Sequence, residues 1–188
     1  MPPQVTTTDL AGVLLIAPQR HEDTRGYLEE SWSARDFAQI GISTDFVQDN
    51  HSVSHAAGTL RGLHCQAPPH AQDKLVRCTR GAIFDVAVDI RRGSPSFGCW
   101  VGIELSDASG YQLFVPRGFL HGFVTLLPDT HVQYRCSDYY APACDLAVRW
   151  DSLGITWPLA GAPILSERDA CAPAFADFAS PFALGEAS

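Results

Sequence analysis

Residues Gly58 to Lys74 read G-T-L-R-G-L-H-C-Q-A-P-P-H-A-Q-D-K. Arg61 and His64 share a strand-like run, and Lys74, the only lysine in the chain, follows it. An imidazole beside fixed positive charge suits removal of a proton from a carbon next to a carbonyl. The base takes the proton, and the cations hold the negative charge that develops on oxygen. An unperturbed imidazole, with a pKa of about 6.5, accepts a proton at neutral pH. A lone strand histidine is otherwise an ordinary hydrogen-bonded core residue; Arg61 and Lys74 are what point to chemistry. Cys65 is not expected to be a nucleophile, because strand alternation sends it to the face opposite His64.

The elements that would position these groups are mostly strands. Val13 to Ile16 is a first apolar run. Ala82 to Ile90 alternates, with Phe84, Val86, Val88 and Ile90 on one face and Asp85, Ala87 and Asp89 on the other. Arg91 to Pro95 makes a turn. Cys99 to Leu105 alternates again and closes at Asp107 to Gly110; Tyr111 to Val115, His121 to Leu127 and His131 to Cys136 continue the series. Short strands at this spacing predict an antiparallel sandwich or barrel. Two short helices are expected, one capped by Ser33 and one by Ser166 with Asp169 three positions on. The 188 residues fit one domain, 1–188, with a C-terminal extension from about Ala172 that packs over the barrel and ends in a loose Gly-Glu-Ala-Ser.

Composition narrows the partners. Apolar residues make up 46% and charged residues 18%, a globular balance. A net charge of −8 argues against a nucleic-acid partner, yet a few arginines can still build a local pocket for a small anion. No apolar run is long enough to span a membrane. The first ten residues lack the basic start and apolar core of a signal peptide, so a cytoplasmic protein is expected. The six cysteines (65, 78, 99, 136, 144 and 171) form no C-x-x-C pair and read as buried, reduced thiols.

Two segments resemble the paired motifs of the cupins. Gly58, five residues and His64-Cys65-Gln66 follow the first motif; Gly110, five residues and Pro116-Arg117-Gly118-Phe119-Leu120-His121 follow the second. The resemblance implies an all-β double-stranded β-helix, the cupin jelly roll, with a few short helices near the termini and with His64 and His121 pointing into one cavity. A cupin metal site needs a second histidine and a carboxylate from the first motif. Here Gln66 takes the histidine position and no glutamate follows closely. Two imidazoles make a poor site for a divalent ion, so no metal is expected.

The longer resemblance is to the dTDP-4-dehydrorhamnose 3,5-epimerases, metal-free jelly-roll homodimers. It rests on D-T-R-G-Y-L-E-E-S, F-V-Q-D-N-H-S, L-R-G-L-H-C-Q, K-L-V-R-C-T-R-G, P-R-G-F-L-H-G-F, Q-Y-R-C-S-D-Y-Y-A-P and L-S-E-R-D, in order from about Pro18 to Pro173. The family inverts C3 and C5 of dTDP-4-dehydro-6-deoxy-D-glucose, giving dTDP-4-dehydro-L-rhamnose. The resemblance implies His64 as base, Asp169 as its carboxylate partner, Tyr134 as proton donor on the opposite sugar face and Lys74 as the cation at O4. Arg25, Glu30, Gln48, Asn50, Arg61, His121, Tyr140, Asp145 and Arg168 would bind the substrate, with Tyr140 stacking on thymine. No cofactor is implied, because the ketone is already in the substrate. Leu28 and Cys65 stand where the family commonly has aromatics, and Asp145 stands for a glutamate. An epimerase acting at C3 only or C5 only shares the same base and acid. A metal-dependent cupin oxygenase and a noncatalytic sugar-nucleotide-binding jelly roll are the readings from other classes.

Overall fold

The computed structural model describes residues 2–185. Of the expected loose Gly-Glu-Ala-Ser end, residues 186–188 lie outside the described residues. In chain order the strands begin with β1 (Gln4–Thr7), β2 (Leu14–Ala17), β3 (Arg20–Asp23) and β4 (Gly26–Glu29). Helix α1 (Ala34–Ala38) follows, and Ser33 caps it by accepting from the Asp36 N–H at 3.4 Å. Next come β5 (Gln48–Ser54), β6 (Leu60–Gln66), β7 (Lys74–Arg80), β8 (Ala82–Asp89), β9 (Trp100–Ser106), β10 (Gln112–Val115), β11 (Phe119–Thr125), β12 (Thr130–Cys136) and the short β13 (Asp145–Ala147). Helix α2 (Glu167–Ala170) is capped by Ser166, whose Oγ accepts from the Asp169 N–H at 3.1 Å.

The strands pair antiparallel in two facing sheets. One sheet has the order β1-β2-β10-β7-β12-β5 and the other β13-β6-β11-β8-β9, while β3 and β4 form a two-stranded sheet of their own. The first sheet and the second enclose Val76, Cys78, Ile83, Ala87, Leu113, Phe123 and Val132 between them. The outer face of the second sheet carries Leu63, Cys65, Val86, Val88 and Ile90, covered by Val148, Trp157 and Phe182 from the C-terminal third. A third cluster, Ile16, Phe37, Ile42, Leu75 and Phe114, seats α1 on the outside of the first sheet.

This layering explains β8, where both alternating sets are buried. Val86, Val88 and Ile90 meet the C-terminal cover, and Asp85, Ala87 and Asp89 face inward. Two fully buried carboxylates need partners. Asp85 accepts from His121, and Asp89 from Arg91, Ser94 and Ser96. The expected packing of the C-terminal extension over the barrel corresponds to Phe175, Phe178 and Phe182 seated on the outer cluster. The cysteine reading needs correction. All six are unpaired, but only Cys65, Cys78 and Cys136 are buried, while Cys99 and Cys171 are exposed because they sit just outside β9 and α2. No helix among the described residues is long and apolar enough to cross a membrane.

Candidate active site

The site begins with a break in strand regularity. Along β6 and β11, His64 pairs with His121 and Arg61 pairs with Phe123, so three steps on β6 match two on β11. Residues three apart on a regular strand point to opposite faces. This bulge returns both Arg61 and His64 to the same cavity wall. Gly62 makes it geometrically feasible: its φ is +122°, and a Cβ there would lie 2.6 Å from the Gly122 Cα. Cys65 then packs into the outer cluster, opposite His64. Burial pushes its thiol up to about 12, which fits an inert core thiol.

His64 meets Asp169 across the sheet edge, Nε2 to Oδ1, at 2.5 Å. With Nε2 donating, Nδ1 is left with its lone pair as a base. The carboxylate is held by α2. Burial pushes Asp169 up, but the hydrogen bond and charge of His64, with further bonds from Ser166 and the Gly62 N–H, outweigh burial and hold it below the ordinary carboxylate value. His121 is oriented the same way by Asp85, Nε2 to Oδ1 at 2.7 Å.

Two hollows, of about 410 and 440 Å³, share His64, Lys74, Tyr134 and Arg168 as walls and form the two lobes of one cleft. Arg61, His121, Phe123 and Asp169 belong to the first lobe. Gln48, Asn50, Tyr140 and Asp145 belong to the second. Burial raises the Tyr134 phenol, so it stays protonated. No carboxylate pairs with Lys74 among the described residues. The second lobe is wired together. Tyr140 Oη donates to Asp145 Oδ2 at 2.9 Å, Arg168 Nη1 approaches the same oxygen at 2.8 Å, and the Tyr140 N–H donates to Gln48 at 3.1 Å. Tyr139, beside Tyr140, is 64% exposed and lines neither lobe.

Eleven of the thirteen anticipated site residues line this cleft; Arg25 and Glu30 do not. Arg25 sits at the tip of the β3–β4 hairpin, its side chain 87% exposed and paired with Asp23. Glu30 faces a separate hollow of about 380 Å³ between that hairpin and α1. The hairpin turns away from the cleft, so the chain's own fold keeps both from it. Sequence reading missed the carboxylate beneath His121, although Asp85 stood out as a charge inside an apolar strand. It also missed what Gln66 does. Its amide donates to the His70 and Tyr139 carbonyls at 2.7 and 3.1 Å and accepts from the Ala141 N–H at 2.7 Å, fixing the loop that carries Tyr140. Among the described residues no three His, Cys, Asp or Glu side chains are grouped to hold a metal ion.

A family model described as dTDP-4-dehydrorhamnose 3,5-epimerase matches residues 7–177. The chain belongs to that family. A dTDP-4-dehydrorhamnose 3,5-epimerase from Sinorhizobium fredii is 46% identical over 92% of this chain and 90% of its own. The crystal structure of the Bacillus anthracis dTDP-4-dehydrorhamnose 3,5-epimerase, with TDP and pyrophosphate bound, superposes with a TM-score of 0.89 at 43% identity, covering 92% of this chain and 99% of that one. A Legionella pneumophila dTDP-6-deoxy-D-glucose-3,5-epimerase in complex with dTDP-4-keto-L-rhamnose gives 0.88 at 41% identity, covering 92% of each. The two facing sheets are thus the cupin jelly roll of this epimerase family.

Proposed function

We infer that the protein inverts C3 and C5 of dTDP-4-dehydro-6-deoxy-D-glucose, yielding dTDP-4-dehydro-L-rhamnose. The observation that carries this is the His64–Asp169 pair sharing one cleft with the Tyr134 phenol and Lys74. Inversion needs a proton taken from one face of a carbon and another returned to the opposite face. His64 Nδ1 takes the C3 proton, and the C–H electrons move into an enolate whose oxygen is the former C4 ketone. The Lys74 ammonium stabilises that oxyanion. Asp169 accepts the Nε2–H bond and stabilises the imidazolium that forms. Tyr134 gives its proton to the other face of C3; solvent restores the phenol and takes the proton from His64. The same cycle then runs at C5. Arg61 and Arg168 suit the diphosphate, since guanidinium forks bind phosphate oxygens in pairs.

NMR of the product formed from dTDP-4-keto-6-deoxyglucose in heavy water tests this reading. Deuterium at both C3 and C5 is expected; deuterium at one carbon only would assign the protein to one-carbon inversion. We also infer a cytoplasmic location, which the need for a nucleotide-linked sugar substrate supports.

We further infer a homodimer in which the β3–β4 hairpin of each copy enters the other's cleft. Arg25 and Glu30 lie outside the cleft of their own chain, and a second copy's hairpin would supply them. The hairpin's Tyr27 and Leu28 are 52% and 74% exposed. A two-stranded hairpin with uncovered apolar side chains is marginal in water and gains from a partner surface.

A further inference from the structure

The hairpin tip and the hairpin base differ sharply. At the tip, among the described residues, Arg25 bonds only its near neighbour Asp23. At the base, Arg20 and Glu29 are the paired end residues of β3 and β4. Their side chains are only 17% and 13% exposed, and Arg20 Nε donates to Glu29 Oε2 at 2.8 Å. The other carboxylate oxygen of Glu29 faces Arg77 Nη1 at 3.4 Å, and Arg77 Nη2 donates to Gln133 on β12 at 2.8 Å. Arg20 also reaches out of the hairpin: Nη1 and Nη2 donate to the Ala108 and Asp107 carbonyls, each at 2.7 Å, while its guanidinium carbon lies 4.1 Å from the Tyr27 ring centre. Gly110 leaves the room for this. Its φ is +65°, and a Cβ there would lie 2.4 Å from Arg20 Nη2. One guanidinium and one carboxylate thus join the hairpin to the β9–β10 turn and to the middle of the six-stranded sheet.

Such an ionic joint is a poor source of net stability, because desolvation offsets much of its attraction. Its geometry, though, is directional. A guanidinium fork with a carboxylate on one edge and two carbonyls on the others admits little rotation. We propose that Arg20, Glu29 and Arg77 are positioning residues: they set the angle at which the hairpin leaves the sheet and so place its Arg25 against the diphosphate in the second subunit's cleft. This rests on the inferred sharing of clefts between two copies. The clamp touches no substrate; it acts through Arg25.

Steady-state kinetics on the full-length chain test it. Arg20→Ala and the isosteric Glu29→Gln are each expected to raise KM for the dTDP-sugar about tenfold while kcat changes less than about twofold. Gly110→Ala, which displaces the Arg20 guanidinium, should do the same. In an Arg25→Ala background, adding Arg20→Ala should raise KM by less than about twofold, because the contact it serves is already gone. Wild-type KM in both single variants, or the full rise persisting without Arg25, would overturn the proposal. Co-expression of His64→Ala and Arg25→Ala chains separates the two layers of inference. Assayed well below the raised KM of the Arg25→Ala enzyme, where both parent homodimers turn over little, a shared-cleft dimer regains activity: half the molecules are mixed and each carries one intact site, so about a quarter of the wild-type rate returns with the wild-type KM. No recovery would remove the shared cleft and the clamp's role with it. Recovery together with unchanged KM in the clamp variants would remove the clamp alone.

Discussion

His64 depends on Asp169 for tautomer as well as charge. With Nε2 tied to the carboxylate at 2.5 Å, the lone pair available to a substrate carbon is on Nδ1. His64→Ala should therefore lower kcat on the order of a thousandfold, and Asp169→Asn on the order of a hundredfold, with KM little changed in either, as steady-state assays would read. Tyr134→Phe should separate the two half-reactions. Proton removal by His64 survives, so the substrate still takes up deuterium from heavy water, while inverted product falls at least about a hundredfold. Equal loss of exchange and inversion would count against Tyr134 as the donor on the second face. Because burial raises the phenol, its acid form persists past about pH 10, and the alkaline fall in kcat should lie above that value. At the other end, Asp169 is held below the ordinary carboxylate value and stays ionised across the neutral range, so it sets no limb there.

At the scale of elements, the bulge in β6 and the carboxylates of β8 show where sequence patterns stop. Sequence pattern located β8, β9 and β10 to within a residue or two, because apolar side chains recur every second position on β8 (Phe84, Val86, Val88) and β9 (Val101, Ile103, Leu105) and fill β10. Strict alternation would have put Arg61 and His64 on opposite faces; the local register shift that reunites them leaves only Gly62 as a trace. Strand β5, Gln48–Ser54, went unread because its inward residues are polar cleft walls rather than core. On β8, Asp89 anchors the turn that follows. Burial alone would raise its carboxyl, but hydrogen bonds from Arg91, Ser94 and Ser96 lower it to about 2. A folded-state value below the unfolded one of about 3.9 gives stability that is complete above that pH and lost as pH falls toward the folded value, on the order of 2 kcal/mol. Denaturant titrations of Asp89→Asn should show a lower plateau at neutral pH and a flatter decline from about pH 5 to about pH 2 than the parent chain.

The whole molecule is four layers deep, and its ends do unequal work. The C-terminal third closes the outer face of the second sheet, and Phe182, 6% exposed, is part of that closure. Phe182→Ala should cost about 3 kcal/mol of unfolding free energy in a denaturant melt while leaving kcat near wild type, since the ring lines neither lobe. The aromatic content of this segment was legible as packing. The direction of the β3–β4 hairpin was not, since no periodicity says which way a projecting hairpin points. The chain's single lysine has a practical corollary. Apart from the amino terminus, Lys74 carries the only primary amine, and it borders both lobes of the cleft. Succinimidyl dyes, formaldehyde fixation and amine-coupled biosensor surfaces, benign for most proteins, would here compete directly with the substrate for the same square nanometre.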